Sequence, residues 1–376
     1  MKFTKVGNEY EHYLAFIYHN IDKKGLLIHP TKLESAKLKI KEELYIICNK
    51  LTDIWGFRVY IGAENKGKDE TALNINSHEK KLERLKELGY KVPKIRKKDE
   101  ETHEYEYEES VGVLAMQKLY ADNSLWPKDP RAGEAVKLLL EAAKIITFDR
   151  RYLRARLYKS QFFSNYNVAG SITGRRGSKK NLFGFGGNGQ NFPARGRLSD
   201  IWKELIIARP GKLFFFVDQV SAEDWPVQAL AENQVALQEM RQGINRHYRF
   251  ASYIFGRSID ELKRGRKDRN SLLHEACEME YYFGKKGRHA NNYGMQPNRL
   301  NESLAAEGYS IPIDTCKHIL KKVDEIDSNV KRIFHRYIQD CAYHNKLIKT
   351  PLGRERHVLG LRSGERNNAI LNELYA

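Results

Sequence analysis

The chain has no apolar run near the roughly 18 residues a membrane-spanning helix needs, and its opening MKFTKVGNEYEHYL lacks an apolar signal core. Both absences exclude a membrane role and point to the cytoplasm. Cysteine is scarce: Cys48, Cys277, Cys316 and Cys341 stand apart with no CxxC pair, which excludes a disulfide framework. Cys316 with His318 and Cys341 with His344 lack the paired spacing of a zinc site. No internal repeat or low-complexity block interrupts the 376 residues. Acidic residues are outnumbered, 48 against 65 Lys and Arg, leaving a net charge of +17 and a field that favours polyanions. Nucleic acid is the first partner to consider.

What is present is mostly helical patterning. Residues 10–60 alternate apolar and charged positions at helical spacing, with Pro30 and Thr31 placed to start a helix. A Gly-, Lys- and Glu-rich run at 62–72 interrupts it. The spacing then predicts a helix capped by the Ser77 hydroxyl and stopped at Gly89. Lys91–Ser110 swings from a basic to an acidic cluster without an apolar face, and reads as an exposed connection. Helical spacing resumes over Gly133–Leu157, whose basic end (Arg150, Arg151, Arg154, Arg156, Lys159) suits phosphates. Residues 164–197 read as loop, and Leu213-Phe-Phe-Phe-Val217 as a buried strand. Helical patterns return after Asp224 and run to about Cys341, and Thr350-Pro-Leu-Gly353 reads as a hairpin tip.

Three constellations carry chemistry. The run before Asp218 delivers a carboxylate to a strand end, where it can coordinate Mg²⁺, with Glu223 five residues on. Lys285, His289 and Tyr293 recur every four residues and line one helix face, which Tyr281 extends. A lysine above ring side chains suits a triphosphate with its sugar and base along the rings. Finally, Ser171-Ile-Thr-Gly-Arg175 and Gly189-Gln-Asn-Phe-Pro193 present hydroxyl, guanidinium and amide groups suited to a nucleic-acid backbone and minor groove.

Taken in order, these segments resemble family A DNA polymerases, the DNA polymerase I type. Thr173-Gly-Arg175 resembles the family's TGR loop, and Gln190-Asn-Phe-Pro193 its QNIP element. Asp218 to Trp225 is similar to motif A, DYSQIELR, at the Asp and the Glu. Asn245-Arg-His247 with Ala251 and Phe255-Gly256 resembles the DIH…FG segment, and Lys285, His289 and Tyr293-Gly294 resemble motif B. Thr350 with Leu352-Gly-Arg354 and Arg356 resembles the TxxGRRR element, and Asn74-Ile-Asn-Ser77 the NINS segment. The likeness spans about residues 10–376.

The resemblance implies an α+β, right-hand polymerase fold: mostly helical thumb and fingers around an incomplete antiparallel palm sheet. The expected divisions are palm and thumb-base helices at 1–72, thumb at 73–160, palm with motif A at 161–226, fingers with motif B at 227–340, and a return to the palm at 341–376. It implies template-directed DNA synthesis from dNTP on primer–template DNA, with two Mg²⁺ ions. Asp218 would bind the metals, and Lys285 would neutralise charge on the transferred phosphate. Glu223 would exclude the 2′-hydroxyl, His247 would contact the outgoing phosphates, His289 would face the sugar and Tyr293 would stack at the templating position. Thr173, Arg175, Gln190, Asn191 and Arg354 would hold the DNA.

Three departures stand out. The motif B arginine falls on Tyr281, so triphosphate binding must rely on Lys286 or Arg288, or be weaker; motif A shows Gln219 and Ser221 in place of its usual Tyr and Gln. Motif C, with its second metal carboxylate, is expected beyond the region of 372–376, and proofreading and flap-cleaving activities are expected to be missing. The expectation is a split polymerase of a viral or phage kind, working in the host cytoplasm and completed by a second polypeptide carrying motif C. The alternatives are a catalytically inactive DNA-binding remnant and a single-subunit RNA polymerase-like nucleotidyltransferase. Retention of Asp218, Glu223 and Lys285 argues against the first, and Glu223 against the second.

Overall fold

Helix starts and stops follow the chemistry of their ends. The computed structural model describes residues 5–62, 71–98, 105–168, 170, 176–193, 196–305, 307, 309, 311–351 and 353–358. The longest helix, Pro30–Trp55, has Pro at its first turn and ends on Gly56 at φ 73°. Its buried stripe of Leu33, Ala36, Ile40, Leu44, Ile47, Cys48, Leu51 and Ile54 is the apolar face that the spacing marks. The His78–Glu87 helix is capped by the Ser77 hydroxyl, which accepts from the Lys80 N–H, and Gly89 follows at φ 85°.

The chain divides into two compact units, one built on Tyr13–Phe215 and the other on Phe216–Leu304 with the chain up to His12 and from Ile311 onward. In the first unit, Leu26–Ile28 is the centre of a three-stranded antiparallel sheet between Gln161–Phe162 and Ile206–Ile207. Helices Pro30–Trp55 and Ala132–Phe148 pack beside it over a core that includes Leu51, Leu119, Leu153, Phe162 and Trp202. The second unit is a stack of helices: Asp224–Leu230, Gln234–Arg241, Arg246–Phe255, Ile259–Lys267, His274–Asn292 and Ile313–Ile326. It also carries the antiparallel pair Leu347–Lys349 and Glu355–His357, with Thr350, Pro351 and Gly353 at the tip where a turn is expected and Leu352 outside the described residues. The architecture is α+β, mainly helical with small sheets.

Three expectations of local structure fail, the first at 164–197, which reads as loop but where Asn165–Asn167 pairs antiparallel with Gly177–Lys179. Residues 91–110 are not a plain connection: Lys94–Lys98 and Tyr105–Glu109 pair as an antiparallel ribbon with Lys94 opposite Glu109 and Lys97 opposite Glu106. Glu109 also pairs with Lys86 of the His78–Glu87 helix, which ties the ribbon to that helix. Leu213–Val217 is not a buried strand either. It lies outside every strand ladder among the described residues, and Phe215 and Val217 are 87% and 95% exposed. Apolarity predicts burial only where another surface covers the run.

Candidate nucleotide site

The second unit gathers its charged and ring side chains where the 274–292 helix crosses the 246–255 helix. Asn245 caps the latter by accepting from the His247 N–H at 3.0 Å, which fixes His247 in its first turn. The helices can approach because residue 284 is glycine. A Cβ there would lie 2.7 Å from the Ala251 nitrogen and 3.0 Å from the His247 carbonyl oxygen. On its other side Gly287 faces Ile319 and Val323 of the 313–326 helix.

That crossing sets three rings in a row. The His247 ring lies 5.6 Å from Tyr281, edge to face, and 6.2 Å from His289. Lys285 sits between Tyr281 and His289 on the same helix face, one turn from each. His289 Nδ1 lies 3.4 Å from Glu223 Oε2, which joins the segment after Asp218 to the ring row. Burial, reinforced by Arg288, His289 and Lys285, pushes the His247 imidazole down to about 3. Burial and then Arg288 also hold His289 below its usual range, against the pull of Glu223. Both rings are therefore neutral at pH 7.

Beneath this row lies a buried polar network that sequence reasoning missed. Arg288 Nη1 is 2.6 Å and Arg246 Nη1 3.1 Å from Asp224 Oδ2. Arg246 also reaches Asp327 and Glu239. Gln228 Nε2 donates to Asp224 and Asp327 at 3.2 and 3.0 Å, and Asn233 Nδ2 to Asp327 at 3.1 Å. Burial pushes Asp224 up, but Arg288, Arg246 and the Gln228 and Asn292 amides prevail and hold its carboxyl below the usual range. A signal existed: Asp224 shares the i, i+3, i+4, i+7 stripe of Val227, Gln228 and Ala231, so its side chain had to face the interior.

Arg288 is thus committed to Asp224 and buried, which corrects its expected role as a triphosphate ligand. Lys286 Nζ turns to the Tyr282 ring, 5.6 Å from its centroid. Tyr293 closes the 274–292 helix, half-buried. Asp218 is exposed, at the end of the exposed run 213–217. No cluster of three His, Cys, Asp or Glu side chains that could hold a metal ion occurs among the described residues. The exposed Asp218 carboxylate is a hard oxygen donor of the kind a divalent cation takes.

Of the expected DNA contacts, Thr173 and Arg175 lie outside the described residues. Gln190 and Asn191 belong to the first unit, with exposed side chains on a pinned backbone. The Gln190 N–H donates to Asn188 Oδ1 at 3.0 Å, the Tyr152 hydroxyl donates to the Asn191 carbonyl, and Phe192 packs 4.8 Å from Trp202. Arg354, in the second unit, pairs with Glu11 beside the tip of the 347–357 hairpin, and its N–H donates to Thr350 Oγ1 at 3.0 Å.

No family model and no curated protein matches the sequence. Among solved structures, the fold is similar to the POL domain of Pol1 from M. smegmatis in complex with DNA primer-template and dNTP. The TM-score is 0.66 at 16% identity, over 95% of this chain and 54% of that one, so the chain spans about half that structure's length. At this identity the likeness is one of fold: the chain has the α+β fold of a DNA polymerase domain. No helix among the described residues is long and apolar enough to cross a membrane.

Proposed function

We propose that the chain is the larger part of the polymerase domain of a family A-type DNA polymerase. It would join dNTP to a primer 3′-hydroxyl on a DNA template once a segment carrying motif C completes the site. One observation carries this reading: Lys285, His289, His247 and Glu223 meet in one cluster, with Asp218 five residues upstream of Glu223. Mere DNA binding requires no such cluster.

In the completed site Asp218 would hold Mg²⁺, which activates the primer hydroxyl and steadies the pyrophosphate leaving group. Lys285 would place its ammonium against the transferred phosphate, where charge grows in the transition state. His247, neutral, would act as a hydrogen-bonding contact to the outgoing phosphates, so the cationic work falls on neighbouring side chains. Glu223, braced by His289, would close off the sugar's 2′ position, and Tyr293 would stack at the templating base. Gln190 and Asn191, with Thr173, Arg175 and Arg354, would hold the primer–template. Exposure of Leu213, Phe215 and Val217 favours a completing segment, because these alternate residues would form the apolar face of a strand once covered.

The test is primer extension with Mg²⁺. The chain alone should bind primer–template with steep salt dependence and add no nucleotide. Adding a polypeptide that carries motif C should start synthesis, and Asp218→Ala should abolish it. Extension by the isolated chain would overturn the split reading, and synthesis by the Asp218→Ala complex would overturn the site.

A further inference from the structure

Tyr281 occupies the position where the resemblance calls for an arginine, one helical turn before Lys285, and another helix brings a guanidinium to it. The Arg266 Cζ lies 3.6 Å from the centre of the Tyr281 ring. Arg266 comes from the last turn of the 259–267 helix, which also carries Lys263, Arg264 and Lys267. Three donors are fixed. Nε and Nη2 donate to the two Glu278 oxygens at 3.0 and 3.3 Å, and Nη1 donates to the Tyr248 hydroxyl at 2.6 Å. A guanidinium has five N–H groups, so one N–H remains on each terminal nitrogen. Two such adjacent donors match two oxygens of a phosphate. The side chain is 22% exposed.

The other candidates are excluded one by one. The Arg288 side chain is only 3% exposed against Asp224, Lys286 stands one residue off the 281–285–289 face beside Tyr282, and burial with neighbouring cations keeps His247 neutral. The Tyr281 ring meanwhile touches the His247 ring and lies one turn from Lys285. Tyr281 thus touches both the Arg266 guanidinium and the His247 ring.

We propose that Arg266 is the second cation of the triphosphate site, working beside Lys285 and held on Tyr281 as a platform. The inference rests on the nucleotide-site reading above and deepens it. Tyr281 stands at the arginine position of the resemblance, and the charge reaches it from the 259–267 helix.

The experiment measures binding of the next correct dNTP, and of the matching dNMP, to the chain–primer–template complex with Mg²⁺. Arg266→Ala should weaken dNTP binding about tenfold or more, and leave dNMP binding unchanged. Tyr281→Arg placed in the Arg266→Ala background should recover most of the loss. The proposal is overturned if Arg266→Ala binds dNTP like the parent chain, if it weakens dNTP and dNMP equally, or if Tyr281→Arg recovers nothing. Lys285→Ala separates the two readings. Where Lys285→Ala weakens dNTP binding and Arg266→Ala does not, Arg266 alone is wrong. Where neither changes it, the nucleotide site itself is misassigned.

Discussion

Arg288 Nη1 stands 2.6 Å from Asp224 Oδ2, and their sequence neighbours His289 and Glu223 meet at 3.4 Å. Two consecutive residues before and within the 224–230 helix are thus paired with two consecutive residues of the 274–292 helix. One rung is buried and the other opens to solvent. The buried rung fixes the spacing of the two backbones, and the open rung inherits it. A binding cluster whose outer contact is 3.4 Å long needs such an inner brace.

The brace predicts a large loss when one side is removed. Asp224→Ala leaves Arg288 buried without its carboxylate partner, and Arg246 with Asp327 and Glu239. Stranding a buried charge costs about 3–5 kcal/mol. Urea unfolding should show a loss of that size, and a change below about 1 kcal/mol would mean the network is not a tie.

Gly284 sets the other dimension of the site. Any Cβ at 284 meets backbone of the 246–255 helix rather than a side-chain tip, so the helices must separate. Gly284→Ala should destabilise by about 1–3 kcal/mol and weaken dNTP binding, because His247 moves away from His289. Unchanged thermal unfolding together with unchanged dNTP binding would show that the crossing has slack.

Acid should destabilise the second unit through His335. This ring is buried, its Nε2 lies 2.9 Å from the Asn292 carbonyl, and burial pushes it down to about 4 against that contact. Below pH 6.5 the unfolded chain gains a proton that the folded chain refuses until about pH 4. The unfolded state therefore binds more protons across that window, so stability falls as pH falls, by about 1.4 kcal/mol per pH unit for this group. His247 adds to the same slope in the same direction. Replacing His335 with Asn, which can still donate to the carbonyl, should flatten the acid limb of a urea-midpoint series. An unaltered slope would place the proton uptake elsewhere.

How much of this was legible in the sequence depends on the range of the interaction involved. The His78–Glu87 helix announced itself because Ser77 and Gly89 act on backbone groups within a turn. The Lys285–His289 face was equally readable, since a helix brings i and i+4 together whatever surrounds it. The ribbon at 94–109 was not, because Lys94 and Glu109 look solvated until a ladder sets them opposite each other. Nor was the pairing of Asp224 with Arg288, 64 positions apart in sequence. Arg266 shows the same limit: its own helix reads as a basic surface, and only the packing of that helix against Tyr281 gives its charge a destination.

The outer rung yields the last prediction. Glu223 is exposed, and an exposed carboxylate alone is a soft barrier because it can rotate away from an incoming hydroxyl. His289 Nδ1 at 3.4 Å gives it a partner that holds one rotamer. Glu223→Ala should raise binding of the next rNTP relative to dNTP by about tenfold or more in the chain–primer–template complex, since a site that merely lacks a contact discriminates weakly. His289→Phe keeps a ring but removes the nitrogen, and should raise the same ratio by a smaller factor. The two changes should not add, because a brace has nothing to hold once the carboxylate is gone. His289→Asn, which keeps a donor near the Nδ1 position, should restore part of the discrimination. Additive effects would mean that His289 reads the sugar independently of Glu223, and an unchanged ratio in Glu223→Ala would remove the gate altogether.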